Sequence, residues 1–196
     1  MKTKVIGTLT TFLGIIAFFV PVIYYGKFDY LNDVISVLNS KSFPVRDLYN
    51  YLFLAFDISL LAFILTKFRG KTLRLPRIFL IISTAMHPVM NFYLPITSAH
   101  NIRLPQDYFH DSIVTVIVIL IILALVAIYL NKNLSRSYRR FTLAMALIII
   151  VSGIISLISL VYYTNLTGLF QKIYLFGYLL FIFTSALVEF NSTKLK

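Results

Sequence analysis

Ile117-Val118-Ile119-Leu120-Ile121-Ile122-Leu123 is apolar at every position. A barrel strand in lipid alternates between lipid-facing and lumen-facing residues. This run has no such alternation. It reads as a helix that is apolar on all sides, and such helices sit in hydrocarbon or in a large core. Extended in both directions the run covers Tyr108–Leu130, enough to cross a bilayer core, which takes about 20 helical residues.

Five further stretches have the same character: Val5–Tyr25, Leu48–Thr66, Ile78–Leu94, Phe141–Tyr162 and Ile173–Phe190. They are rich in β-branched residues, which form helices only weakly in water. In lipid the backbone must satisfy its own hydrogen bonds, and that requirement overrides the weak propensity. Composition agrees, with 59% of the 196 residues hydrophobic and 13% charged, against roughly 25% charged in soluble domains. The predicted fold is therefore all-α: one polytopic transmembrane bundle of about six helices spanning residues 1–196.

Lys and Arg set the orientation. Lys2, Lys4, Lys67, Arg69, Lys71, Arg74, Arg77, Lys132, Arg136, Arg139, Arg140, Lys194 and Lys196 fall on one side of the spans. Lys27, Lys41, Arg46, Arg103 and Lys172 fall on the other. Thirteen against five is a positive-inside bias, so both termini are expected to be cytoplasmic in a multi-pass protein of the cell membrane. Asp29, Asp33, Asp47, Asp107 and Asp111 lie on the outer side. The N-terminal segment has the outline of a signal peptide, but its apolar run continues to Tyr25 with no small-residue cleavage site, so it reads as a retained first span.

The net charge of +11 sits beside apolar runs rather than on a basic aromatic groove. The expected partners are thus membrane lipids, with a membrane protein as the alternative, and not nucleic acid. Cysteine is absent, which removes disulfides, thiolate metal sites and a cysteine nucleophile.

Between the first two spans, Phe28, Leu31, Ile35 and Leu38 recur at helical spacing, with Asp29, Asn32, Asp33, Ser36 and Asn39 on the other face. This pattern predicts a short amphipathic helix at the outer surface, with its polar face either in water or turned inward as a lid.

Inside the membrane, Asp57 lies about nine residues into the second span, ~14 Å deep. A carboxylate at that depth costs about 3 kcal/mol unless it is partnered inside the bundle. His87 lies at similar depth in the third span, so an Asp57–His87 pair is one reading. The other is a protonated Asp57 bonded to Ser59, Ser83 or Thr84. Pro88 removes an amide donor beside His87 and frees a carbonyl near Thr84. Glu189 falls at the inner end of the sixth span. Gly153 with Ser152, Ser156 and Ser159 reads as a close-packing face, and Tyr162, Tyr163, Tyr174 and Tyr178 as an aromatic belt.

The three histidines are His87, His100 and His110. They show neither the H-x-x-x-H nor the H-E-x-x-H spacing of a helical metal site. No facing pair at one depth suits haem, and no G-x-S-x-G elbow is present. No metal or cofactor is expected.

Asp33-Val34-Ile35-Ser36-Val37-Leu38-Asn39, followed by Pro44 and Asn50 entering the second span and by His110-Asp111 opening the fourth, resembles the domain-of-unknown-function (DUF) 998 family of bacterial and archaeal membrane proteins. That family carries an I-S-x-L-G element after its first span and a histidine at the fourth. Ile35, Ser36 and Leu38 match the element; Val37 and Asn39 depart from it, Asn39 replacing the glycine. More distantly the chain is similar to the six-span eukaryotic family that includes factors remodelling the lipid part of glycosylphosphatidylinositol anchors. The resemblance implies a six-span fold and a role connected with lipids.

Three functions fit these residues. In the first, a cavity open to the outer face binds a lipid or small amphipathic molecule, with Asp33, Ser36, His110 and Asp111 at its mouth and Asp57 and His87 at its floor. Ser36, His110 and Asp111 would be the catalytic candidates in an enzymatic version. The second is a non-catalytic accessory, structural or immunity-type protein. The third is a small proton-coupled transporter using Asp57 and His87, against which the absence of internal repeats counts.

Overall fold

Glycine and proline mark where helices stop and start. Gly26 takes a left-handed φ of 66° and donates its amide to Val22 O at 3.1 Å, closing the first helix in the manner open to a residue without a Cβ. Pro105, whose missing N–H costs nothing in a first turn, opens the fourth. The computed structural model describes residues 2–41, 43–94, 105–161 and 166–190. Pro95, His100, Arg103, Tyr162, Tyr163, Lys194 and Lys196 lie outside them.

Among the described residues the regular structure is helical: α1 (Lys2–Tyr25), α2 (Arg46–Lys67), α3 (Arg74–Tyr93), α4 (Pro105–Leu130), α5 (Arg136–Val161) and α6 (Thr167–Leu187), with short 3-10 turns at Ile35–Asn39 and Lys71–Leu73. Five of the six, all but α3, are long and apolar enough to cross a membrane. Arg74, Arg77, Ser83, Thr84, His87 and Asn91 dilute the apolar run of α3, the most polar wall of the bundle. The sixth expected span, 173–190, shifts towards the N-terminus: α6 begins at Thr167 and ends at Leu187. Its first two turns carry Gln171 and Lys172, whose side chains bond backbone groups of the chain before α2.

Each helix packs on the next in chain order, and α1 packs on α6 to close a ring. Lipid tails are as apolar as leucine, so helices in a bilayer associate by close packing rather than by escape from the solvent. The contacts of α1 show this. A Cβ added to Gly7 would overlap Ala186 and Phe63, and one on Gly14 would overlap Leu179 and approach Phe56. The small-residue face therefore belongs to α1. On α5 Ser152 and Ser159 are buried as a packing face requires, but Gly153 is not part of one, because a Cβ there meets nothing within 4 Å.

The predicted amphipathic helix over residues 28–39 does not form either. The Asp29 carboxylate accepts from the amides of Leu31 (2.9 Å) and Asn32 (3.2 Å), and Asp33 Oδ2 accepts from the Asp29 amide (2.9 Å). Side chains that bond their own backbone offer it an alternative to helix. The two backbone amides and the Asn32 side chain hold Asp29 below the ordinary carboxylate value of 3.8. The chain then enters the 3-10 turn Ile35–Asn39, all five of its residues buried, against α1, α2 and α6.

At the opposite end of the ring Lys4 pairs with Glu189 at 2.9 Å, and Lys67 donates to Val188 O while sitting 4.1 Å over the Phe190 ring. Asn131 Nδ2 donates to Thr72 O (3.2 Å), joining the two basic connections. Lys4 holds the Glu189 carboxyl below its ordinary value of 4.5.

Candidate functional site

Asp57 on α2 is 4% exposed, and its Oδ2 accepts from Nδ1 of His87 on α3 at 2.8 Å. The hydroxyls that could otherwise have served Asp57 donate elsewhere. Ser83 and Thr84 both donate to Leu80 O (3.0 and 2.7 Å). Ser59 lies 2.8 Å from Thr10, whose own proton goes to Ile6 O. The far side of the imidazole, Nε2, faces Asn91 Nδ2 at 3.5 Å, one helical turn further along α3. Asn39 Nδ2 in turn donates to Asn91 O at 2.9 Å. A polar chain thus runs from Asn39 in the buried turn through Asn91 and His87 to Asp57.

Asp57 and His87 face a cavity of about 120 Å³ whose wall is mostly aliphatic and aromatic, including Phe53, Met90, Ile117 and Tyr178; Ser36 lines it as well. A single water needs only ~10–15 Å³ of such space, and apolar cavities stay dry unless an apolar guest fills them. A second, more open crevice of about 240 Å³ lies between α4, α5 and α6, with Asp111, Gly153 and Ser156 among its lining residues. The two share a wall: Ser36, Val114, Val118, Ile149, Gln171 and Tyr174 line both. Gly153 matters here because any side chain would project into the crevice.

The predicted mouth residues are not one cluster. Ser36 sits at the shared wall and Asp111 on the crevice. Asp33 lines neither: its carboxylate closes the Asp29 turn and its carbonyl accepts from Lys172 Nζ at 2.8 Å. His110 is fully buried and donates from Nδ1 to Leu94 O at 2.7 Å. It cannot lean on Asp111, since neighbouring helical residues point about 100° apart.

Several residues contribute that the sequence reading placed elsewhere. Lys172, expected in an outer connection, is a buried residue of α6 that donates to Asp33 O and Gly168 O (2.8 and 3.0 Å) and lies 4.8 Å over the Phe28 ring. Gln171 Oε1 accepts from the Ile35 amide, and the Leu169 amide donates to Leu31 O at 2.9 Å. Together they fasten segment 31–35 onto the start of α6, with Gly168 close enough to Asp33 O that a Cβ there would collide. Of this segment Ile35 lines the cavity and Val34 the crevice. Asn50 and Asn91 share the helical register of Asp57 and His87, at i−7 and i+4, a signal the sequence does carry. No family model, curated protein or solved structure matches the chain.

Proposed function

We propose that this chain is a six-span protein of the cell membrane, both termini cytoplasmic, that binds the apolar part of a lipid or similar amphipathic molecule in the central cavity. The guest reaches it sideways from the outer half of the bilayer through the α4–α5–α6 crevice. One observation carries the reading: an apolar cavity faced by the buried Asp57–His87 pair shares a wall with a crevice between α4, α5 and α6. Solid packing, as a purely structural protein would have, leaves no reason for Gly153 to face empty space. The positive-inside bias of the basic residues supports the orientation. The third span is α3, whose polar groups face the cavity and its neighbours rather than lipid. The resemblance to the DUF 998 family and the lipid role it implies belong to the same proposal. In it Asp57 and His87 face the guest from the floor of the cavity, with Ser36 at the threshold and Asp111 at the outer lip.

The test is native mass spectrometry of the purified chain with its co-extracted lipids, repeated on Gly153→Phe. Phenylalanine fits the open space without disturbing α5 and fills the crevice. Wild type should retain a lipid that Gly153→Phe loses at unchanged melting temperature. A wild-type protein free of lipid, or one whose lipid survives the substitution, removes the proposal.

A further inference from the structure

Among the described residues, five buried side-chain polar atoms have no hydrogen-bond partner: Oδ1 of Asn39, Asn50 and Asn91, Nε2 of His110 and Nε of Arg46. Buried polar groups are satisfied in more than nine cases of ten, so a group of such atoms calls for an explanation. All of them belong to the outer end of the ring. Asn39 bonds Asn91. The Tyr51 and Phe92 rings lie 6.2 Å apart, which sets Asn50 and Asn91, their chain neighbours, at one level of α2 and α3. Arg46 is one turn outward from Asn50 on the same face of α2. His110 is tied to Leu94, one turn beyond Asn91. The three asparagines are 0–2% exposed.

The chemistry of these atoms is fixed by what their neighbours do. Asn39 Nδ2 faces a carbonyl, so its amide cannot be flipped and Oδ1 is the free end. His110 Nδ1 also faces a carbonyl and must carry the proton, which leaves Nε2 an acceptor. The layer therefore offers acceptors from three amides and one imidazole, against one donor, the Arg46 N–H. It borders the cavity through its chain neighbours: Ser36, Tyr49, Phe53, His87 and Met90 line that cavity, and each adjoins an asparagine or lies within one turn of one.

We infer that this layer reads the headgroup of the amphiphile, and that the ligand is a phospholipid whose headgroup carries N–H or O–H donors. The phosphodiester meets the Arg46 guanidinium, and the ammonium or hydroxyl hydrogens of the headgroup meet the amide oxygens and His110 Nε2. A trimethylated choline headgroup has the same phosphate and charge but no donor, so it leaves the acceptors as they are. The inference rests on the proposed binding role, since the tails of the same lipid occupy the cavity and crevice.

The experiment is titration of the delipidated full chain in detergent with dioleoyl phosphatidylethanolamine, phosphatidylglycerol or phosphatidylcholine, read by native mass spectrometry. Ethanolamine or glycerol lipid, or both, should bind at least about tenfold tighter than choline lipid; a preference for one of them identifies the donor as ammonium or hydroxyl. Asn50→Leu should bring the preferred lipid down to the choline level without lowering the melting temperature, because it removes an unpartnered acceptor; Asn91→Leu should do the same to binding while also taking the Asn91 amide from His87 Nε2. Arg46→Met should weaken all three lipids alike. Equal binding of the three lipids by wild type overturns the inference and leaves the binding role standing, as does a preference that survives Asn91→Leu. Binding of none of the three removes both. The wild-type comparison stands even where a variant fails to fold.

Discussion

The two ends of the helical ring treat their polar groups in opposite ways. At the basic end, long side chains find partners: Lys4 on Glu189, Lys67 on Val188 O, Arg139 on Tyr129 O at 2.6 Å, and Tyr138 on Ser185 at 2.7 Å in full burial. At the opposite end Lys172 and Gln171 are bonded as well, but Asn39, Asn50, Asn91, His110 and Arg46 each keep a buried polar atom with no hydrogen-bond partner among the described residues. An unmade hydrogen bond in a dry interior costs about 1–3 kcal/mol. Packing varies around the ring, with Gly168 at this same end pressed against the Asp33 backbone. Near the basic end the glycine at position 7 is pressed by Ala186 and Phe63, while Gly153 in the crevice touches nothing. The basic end is held by paired long side chains, whereas the opposite end sets unused hydrogen-bonding capacity beside tight contacts of its own.

The largest effect tests which end meets which side of the membrane. The chain has no cysteine, so single cysteines can be read without background. Lys71→Cys and Arg139→Cys should resist a membrane-impermeant maleimide on intact cells and react after permeabilisation. Lys27→Cys and Asp47→Cys, on exposed residues of the other end, should react at once. The reverse labelling, or labelling of both sets from outside, breaks the assignment of outer and inner ends.

A smaller effect compares the two glycines by one substitution. Gly7→Val places methyl groups where Ala186 and Phe63 already stand, and overpacking of this kind costs typically about 1–3 kcal/mol. Gly153→Val meets open space and replaces a poor helix former, so it should leave the melting temperature unchanged or slightly raised. Thermal melts of the two variants in one detergent check the contrast. Equal losses at both positions would mean that the crevice is as tightly packed as the α1 contact.

The range of the forces involved sets how much of this the sequence could foresee. The apolar runs announce their helices because hydrocarbon requires every backbone group to be satisfied within the segment. The Asp57–His87 contact could be narrowed to two readings because a buried carboxylate needs a partner and few were at hand. Segment 28–39 misled because its helical spacing was genuine, yet the Asp29 carboxylate competes for the amides of Leu31 and Asn32, and a periodicity count does not register that competition. Lys172 was placed outside the last span because a lysine argues for an aqueous connection. Its burial depends on carbonyls of Asp33 and Gly168, one of them 139 positions away in the chain. The asparagine layer was overlooked for a related reason: Asn39 and Asn50 were noticed as helix-face and motif residues, although the register linking Asn50 to Asp57 and Asn91 to His87 could be counted in advance.

The smallest effect concerns acid. Glu189 at the basic end and Asp29 at the outer end are both fully exposed carboxyls held below their ordinary values of 4.5 and 3.8. Glu189 is held there first by Lys4, and Asp29 first by the Leu31 amide. A carboxyl whose value falls on folding stabilises the folded chain above its ordinary value, and that contribution is lost as pH drops through the lowered one. Both contributions are thus present at neutral pH and fade in the acid range, Glu189 starting to lose its share at the higher pH. Lys4→Met should lower the melting temperature slightly at neutral pH, and the deficit should shrink as falling pH protonates Glu189. Asp29→Asn keeps an oxygen facing the same amides but loses the charge, so its deficit should also vanish with acid, over a window displaced to lower pH. The two windows separate the ends by chemistry alone: at one a distant ammonium holds the carboxylate, at the other the chain's own amides do. A Lys4→Met deficit that persists unchanged into acid would show that Lys4 acts there through packing of its stem rather than through Glu189.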